Sequence, residues 1–265
     1  RRCGGDDRPE KSTSTSFCGN TRKLNLFDRI HGCLAGLALG DSLGSPTEFL
    51  TPQQISTEYG WVDHFVQTPN WHPHHVLHPG EVTDDTGQVL AVAHAFSEDG
   101  ELTAENVAHH LLLWADMDRK KLAAVLGPST RQALERLRQG ESPRTTGKKG
   151  TTNGAAYRSL VIGLVNFDQP EKLIAQIVEA CLPTHGTTAA ISGAAAAGFA
   201  VAEAMKADAT IDGIIEAACQ GAELGTKFGV WHWSTPLNKR IQLAVKIIDE
   251  SHEPGQALID LYNYV

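Results

Sequence analysis

The chain has 265 residues, 41% of them hydrophobic, which is enough for a substantial core. Its net charge of −8, with no long basic run, argues against binding a nucleic-acid backbone. Its odd set of five cysteines (Cys3, Cys18, Cys33, Cys181 and Cys219), with no C-x-x-C pair, argues against a disulfide framework or a thiolate zinc site and fits reduced thiols in a cytoplasm.

Residues 1–24 are polar and poor in apolar side chains, and read as a disordered or non-family tail. A first helix is predicted over 27–40. Gly32, Gly36, Gly40 and Gly44 recur there every fourth residue, a stripe that predicts close approach of another helix backbone, with Gly40 and Gly44 flanking Asp41 in a turn. Residues 50–82 read as an irregular insertion, and its segment "WHPHHVLHPG" (71–80) as a polar loop rather than a transition-metal site. Further helices are predicted over 86–98, 104–116, 128–139, 153–164, 170–182, 187–206, 210–224, 237–251 and 255–265. Pro128 and Pro170 mark helix starts, and Gly100, Gly140 and Gly225 mark stops. The longest uncharged run, 186–202, is mostly Ala and Gly and reads as a buried helix, so no membrane association is expected. Strand-like alternation is nearly absent, and the fold class is all-α.

Polar clusters fall at helix ends. In "GEVTDDTGQ" (80–88), Thr83, Asp84, Asp85 and Thr86 either cap the helix that follows or offer hard oxygen ligands to a divalent cation, which would offset the repulsion between adjacent acids. Glu48, between Pro46 and Phe49, is a surface acid or a general acid/base. Asn153 in "GTTNGAAYR" (150–158) is a helix cap or part of an anion site. Arg158 assists that site or pairs with a surface acid. His185 in "PTHGTT" is a site residue or a structural histidine. A dinucleotide G-x-G-x-x-G, a Walker loop and a G-x-S-x-G elbow are all absent.

Taken in order, "GCLAGLALGDSLGSPTEF", "GEVTDDT", "NGAAYR" and "PTHGTTAAISGAAAAG" resemble the ADP-ribosylglycohydrolase family over residues 27–265. "GWVDHFV" and "LGPSTRQALERLRQGESP" resemble its uncharacterised bacterial branch. The resemblance implies a compact multi-helix bundle around two divalent ions, Mg²⁺ or Mn²⁺, with Thr83, Asp84 and Asp85 as metal ligands. It implies Glu48, Asp84 and Asp85 as catalytic residues, and Asp41, Gly44, Asn153, Gly154 and His185 as substrate-binding residues. The partner would be an ADP-ribosylated protein or an ADP-ribosyl or ribosyl small molecule, with no nucleic acid and no membrane. The family's second ligand segment, G-G-D-T-D-T, does not occur in these 265 residues. Residues 25–265 are therefore expected to form an incomplete bundle, lacking C-terminal helices, with half of a binuclear site. Three functions follow from the resemblance: an ADP-ribosylglycohydrolase, a hydrolase of nucleosides or other ribosyl N-glycosides, or an inactive ADP-ribose binder.

Overall fold

The structure is a computed structural model that describes residues 25–117 and 119–265. The predicted tail, with Cys3 and Cys18, lies outside the described residues. The elements run α1 (Leu26–Gly44), a 3₁₀ turn (Ser45–Thr47), α2 (Pro52–Tyr59), α3 (Asp84–Asp99), α4 (Ala104–Met117), α5 (Arg119–Val125) and α6 (Pro128–Arg138). They continue α7 (Pro143–Thr146), α8 (Gly154–Val165), α9 (Pro170–Cys181), α10 (Thr188–Ala204), α11 (Ile211–Gly225), α12 (Leu237–Glu250) and α13 (Pro254–Tyr264). The all-α expectation holds. The one extended pairing among the described residues is an isolated parallel bridge, Thr187 to Val230.

Helix α10 is the axis of the bundle, and its small residues explain why. A Cβ on Gly221 of α11 would lie 2.4 Å from the Ala195 carbonyl oxygen, and one on Gly163 of α8 would lie 2.5 Å from that of Gly198. Both neighbours therefore press backbone to backbone against α10. Val89, Val92, Leu111, Ile162, Ile177 and Ile191 fill the surrounding core with no accessible surface. Each such side chain contributes roughly 1.5–3 kcal/mol over its exposed state. No helix among the described residues is long and apolar enough to cross a membrane.

Several expectations need correction. The stripe of Gly32, Gly36, Gly40 and Gly44 meets no helix: a Cβ on any of the four would find nothing within 4 Å. Glycine spacing reports low bulk, not the presence of a partner. Asp41 lies inside α1, not in a turn. Ser42 is the one buried residue of α1. This helix is pinned instead by Arg29, whose Nη1 donates to the carbonyls of Ala204 and Lys206 at 3.2 and 3.1 Å at the end of α10, and by Asp41 at the start of α3. Gly225 does end α11, but as its last helical residue rather than as a left-handed cap; its Cβ would fall 2.7 Å from the Ile191 carbonyl oxygen. The supposedly irregular 50–82 contains α2, started by a Thr51–Gln54 capping box that a short polar segment made easy to overlook.

Candidate active site

Helix α3 begins at Asp84, two residues before its predicted start, because the cap is Thr83. The Thr83 hydroxyl accepts the Asp85 N–H at 3.2 Å. Asp41 reaches across from α1: its Oδ2 accepts the N–H groups of Thr83 and Thr86 at 3.0 and 3.2 Å and the Thr86 hydroxyl at 2.6 Å. A carboxylate at a helix start also meets the positive end of the helix dipole. With Thr83 and Asp41 satisfying the first turn, Asp84 and Asp85 are released from capping.

Both remaining acids sit in a poor setting for charge. Asp84 is 6% exposed. Burial pushes its carboxyl up to about 6, against hydrogen bonds from its own backbone, Gly127 and Gln88, with Glu48 repulsion adding to the rise. Asp85 is pushed to about 7 by burial and by the charges of Asp84, Asp41 and Glu48. Glu48 is also raised, mainly by burial.

Glu48 is held by the histidine-rich segment. His72 and His74 are buried at 0% and 3% exposure, which corrects the reading of that segment as a polar loop. The His74 N–H donates to His72 Nδ1 at 3.0 Å, so the other ring nitrogen, Nε2, donates to the Glu48 carbonyl oxygen at 2.9 Å. His74 Nδ1 lies 3.3 Å from the Ser45 carbonyl oxygen and 3.5 Å from the Glu48 carboxylate. Phe49, next in the chain, takes a φ of 66°, and its ring meets His74 edge-on at 5.8 Å. A non-glycine residue in that region is strained, so the loop is held by its surroundings.

Glu48, Asp84, Asp85, Asn153, Gly154 and Tyr157 line one cavity of about 460 Å³, together with residues 124–128, 130 and 131. A neighbouring cavity of about 450 Å³ is lined by Asp41, Gly44 and Thr83 and shares Glu48, Asp85 and Asn153. Asn153 precedes α8 but makes no side-chain capping bond there. His185 is fully buried one layer behind the cavity wall, its Nε2 2.8 Å from the Thr152 hydroxyl. Gly154 has to be glycine at that wall: a Cβ there would lie 2.7 Å from the His185 ring. Arg158, read as an anion or surface partner, is instead entirely buried and bonds Gln88 and Thr184. Tyr157 and Gln88 were missed, although the i, i+4 spacing of Asp84 and Gln88 is a legible signal. The Gln88 amide donates to Asp84 Oδ2 at 2.7 Å and to the Tyr157 hydroxyl at 2.8 Å.

The donor set suits a hard divalent cation in kind. Thr83, Asp84 and Asp85 offer oxygen, and both acids are raised by burial and by neighbouring carboxylates, a setting that a cation would relieve. It is short in number: among the described residues no three His, Cys, Asp or Glu side chains converge to hold an ion.

The model of the ADP-ribosylglycohydrolase family matches residues 22–264. The chain is 29% identical over 241 residues to "Uncharacterized protein YegU" of Escherichia coli (strain K12), covering 90% of this chain and 72% of that protein. It is 34% identical over 179 residues to an uncharacterized protein of Archaeoglobus fulgidus, 67% of this chain and 56% of that one. It is 28% identical over 162 residues to the ADP-ribosyl-[dinitrogen reductase] glycohydrolase of Rhodospirillum rubrum, 61% of this chain and 52% of that one. The chain thus spans little more than half the length of the last two. A solved structure, "ADP-ribosylglycohydrolase-related protein complex", shares the fold with a TM-score of 0.58 at 24% identity, covering 86% of this chain and 77% of that one.

Proposed function

This chain belongs to the ADP-ribosylglycohydrolase family, and from that premise we propose that it acts as a glycosidase-type hydrolase on ADP-ribose linkages. The observation that carries the reading is the convergence of Glu48, Asp84 and Asp85 on one cavity beside the start of α8. Its volume of about 460 Å³ falls in the range of small-molecule sites, roughly 300–1,000 Å³.

Thr83, Asp84 and Asp85 would hold Mg²⁺ or Mn²⁺, which would supply Lewis-acid polarisation of a ribose hydroxyl or water. Glu48 moves the proton. Its raised carboxyl takes one from the water that adds to the anomeric carbon, or delivers one to the departing group. Asp41 frames the acid pair. Asn153 and Gly154, at the start of α8, bind substrate phosphate, with His185 behind them. The free thiols Cys33, Cys181 and Cys219 support a reducing compartment such as the cytoplasm.

The test is turnover on ADP-ribosyl-arginine and, in parallel, on a nucleoside panel with Mg²⁺ or Mn²⁺. Release of ADP-ribose is expected. Nucleoside cleavage alone would move the substrate to the ribosyl class. Binding of ADP-ribose without turnover would favour an inactive binder, the reading motivated by the short donor set. Glu48→Gln is expected to lower kcat by about a hundredfold or more while leaving metal-dependent thermal stabilisation in place. Unchanged kcat would remove Glu48 from the chemistry.

A further inference from the structure

We infer that Arg158 is a positioning residue that sets hydrogen-bond directions through Thr184 and Gln88 behind the cavity wall, holding His185 as its Nε2–H tautomer and turning the Thr152 hydroxyl hydrogen toward the cavity as a donor for an anionic ligand oxygen. The clause about the ligand rests on the proposed function. The tautomer does not.

The hydrogens can be placed by elimination, because a guanidinium can only donate. Arg158 Nη2 donates to the Thr184 hydroxyl oxygen at 2.5 Å, and the Thr184 hydroxyl, its own hydrogen still free, lies 2.8 Å from His185 Nδ1. The same Nη2 also donates toward Nδ1 at 3.4 Å and the Ala180 carbonyl oxygen at 3.5 Å. Two donors converge on Nδ1, so a proton there would set N–H against N–H, and Nδ1 must accept. Burial and the Arg158 charge hold His185 well below the usual imidazole range, so the ring is neutral and its hydrogen sits on Nε2. Nε2 then donates to the Thr152 hydroxyl oxygen at 2.8 Å. The Thr152 hydrogen cannot point back at its donor, and Thr152 lines the cavity.

A second branch leaves the same guanidinium. Nη1 donates to Gln88 Oε1 at 2.6 Å, which fixes the amide flip and turns the Gln88 NH₂ to Asp84 and Tyr157. Tyr157 thereby receives a hydrogen from Gln88, which leaves its own hydroxyl hydrogen to point elsewhere. Both branches start at a group with no acceptor, so neither can reverse without breaking. Arg158 Nε is buried and bonds no other protein group among the described residues.

The experiment is ring-nitrogen NMR on the full chain labelled with ¹⁵N-histidine, with His185 assigned by loss of its signals in His185→Gln. The wild type is expected to show a protonated Nε2 and a bare Nδ1 near neutral pH. A protonated Nδ1, or an imidazolium, would overturn the inference. Arg158→Met, checked by its melt, is expected to lose the fixed tautomer; an unchanged ring in that folded variant would also overturn it. Should Arg158→Met fail to fold, Thr184→Val is expected to move the Nδ1 signal while Thr184→Ser restores it, and an immobile signal would count against. For the ligand clause, Thr152→Val is expected to weaken ADP-ribose binding about tenfold with the tautomer kept, and Thr152→Ser to restore it. Undiminished binding in Thr152→Val would overturn that clause. Absence of ADP-ribose binding in the wild type would instead sink the proposed function and the ligand clause with it, while the spectrum alone decides for Arg158.

Discussion

Asp84→Asn is expected to raise the stability of the metal-free protein at neutral pH and, in the same variant, to weaken its response to divalent ions. Burial lifts the Asp84 carboxyl from 3.8 to about 6. Between those values the folded state binds more protons than the unfolded chain, so stability is fully present below pH 3.8 and is lost as pH climbs to about 6. At about 1.4 kcal/mol per pH unit, the charged Asp84 costs the fold about 3 kcal/mol at pH 7. Asp85, raised to about 7, partly shares this cost, because the two acids titrate as a pair. The neutral amide removes it and can still accept from Gln88. In a chelating buffer at pH 7 the melting midpoint should rise by roughly 6–12 °C for a chain of this size. The gain should vanish near pH 4, where the wild-type carboxyl is already protonated. With Mg²⁺ or Mn²⁺ added, the wild-type midpoint should rise by mass action. The variant should need more than about a hundredfold more metal, since even outer-shell changes cost 10–100-fold. A variant less stable than wild type in chelator, or one that keeps the metal shift, would remove Asp84 from the site.

Gly150→Ala should be strongly destabilising, although it adds a single methyl group. Behind the cavity wall, two loops are zipped together. Gly147 N–H donates to the Leu182 carbonyl at 3.1 Å and Gly186 N–H to that of Gly147 at 2.8 Å. The Thr146 hydroxyl donates to the Pro183 carbonyl at 2.7 Å and the Thr187 hydroxyl to that of Gly150 at 2.6 Å. A Cβ on Gly150 would sit 1.9 Å from the Thr184 carbonyl oxygen and 2.9 Å from the His185 Cα. Both are backbone, so the methyl can be accommodated only by parting the loops. Overpacking of this kind costs about 3 kcal/mol or more, and a midpoint fall of roughly 6–12 °C is expected. Gly32→Ala is the control: nothing lies within 4 Å, and alanine in a helix gains up to about 1 kcal/mol. A Gly150→Ala melt within 1–2 °C of wild type would mean that the loops are not zipped.

What was legible in the sequence was local. Pro128 and Pro170 open α6 and α9, and Gly100, at a φ of 75°, closes α3, because each acts on its own stretch of backbone. The TDDT cluster was legible as chemistry, yet the division of labour within it was not. Whether Thr83 or Thr86 caps depends on Asp41, forty-odd residues away. The same limit hid Arg158 and His72. Nothing within ten residues of either announces complete burial, because the partners, Gln88 and Thr184 for one and the Glu48 loop for the other, arrive by tertiary packing. The glycine stripe erred in the opposite direction, since a surface shaped for contact was taken for a contact made.

The two pins of α1 set how it responds to solvent. Arg29 sits on carbonyls at the negative end of α10, and Asp41 sits on amides at the positive end of α3, so the helix hangs between two dipoles of opposite sense. Such attachments, the exposed Arg29 one most, weaken as the Debye length contracts from about 10 Å at 0.1 M salt to about 3 Å at 1 M, whereas the apolar contacts around α10, and those of Leu34 and Leu37 that lay α1 on the core, do not. Ionic strength therefore acts selectively on this protein: it slackens the helix that frames the acid pair before it touches the core, and slow amide exchange along α1 becomes a gauge of dissolved salt.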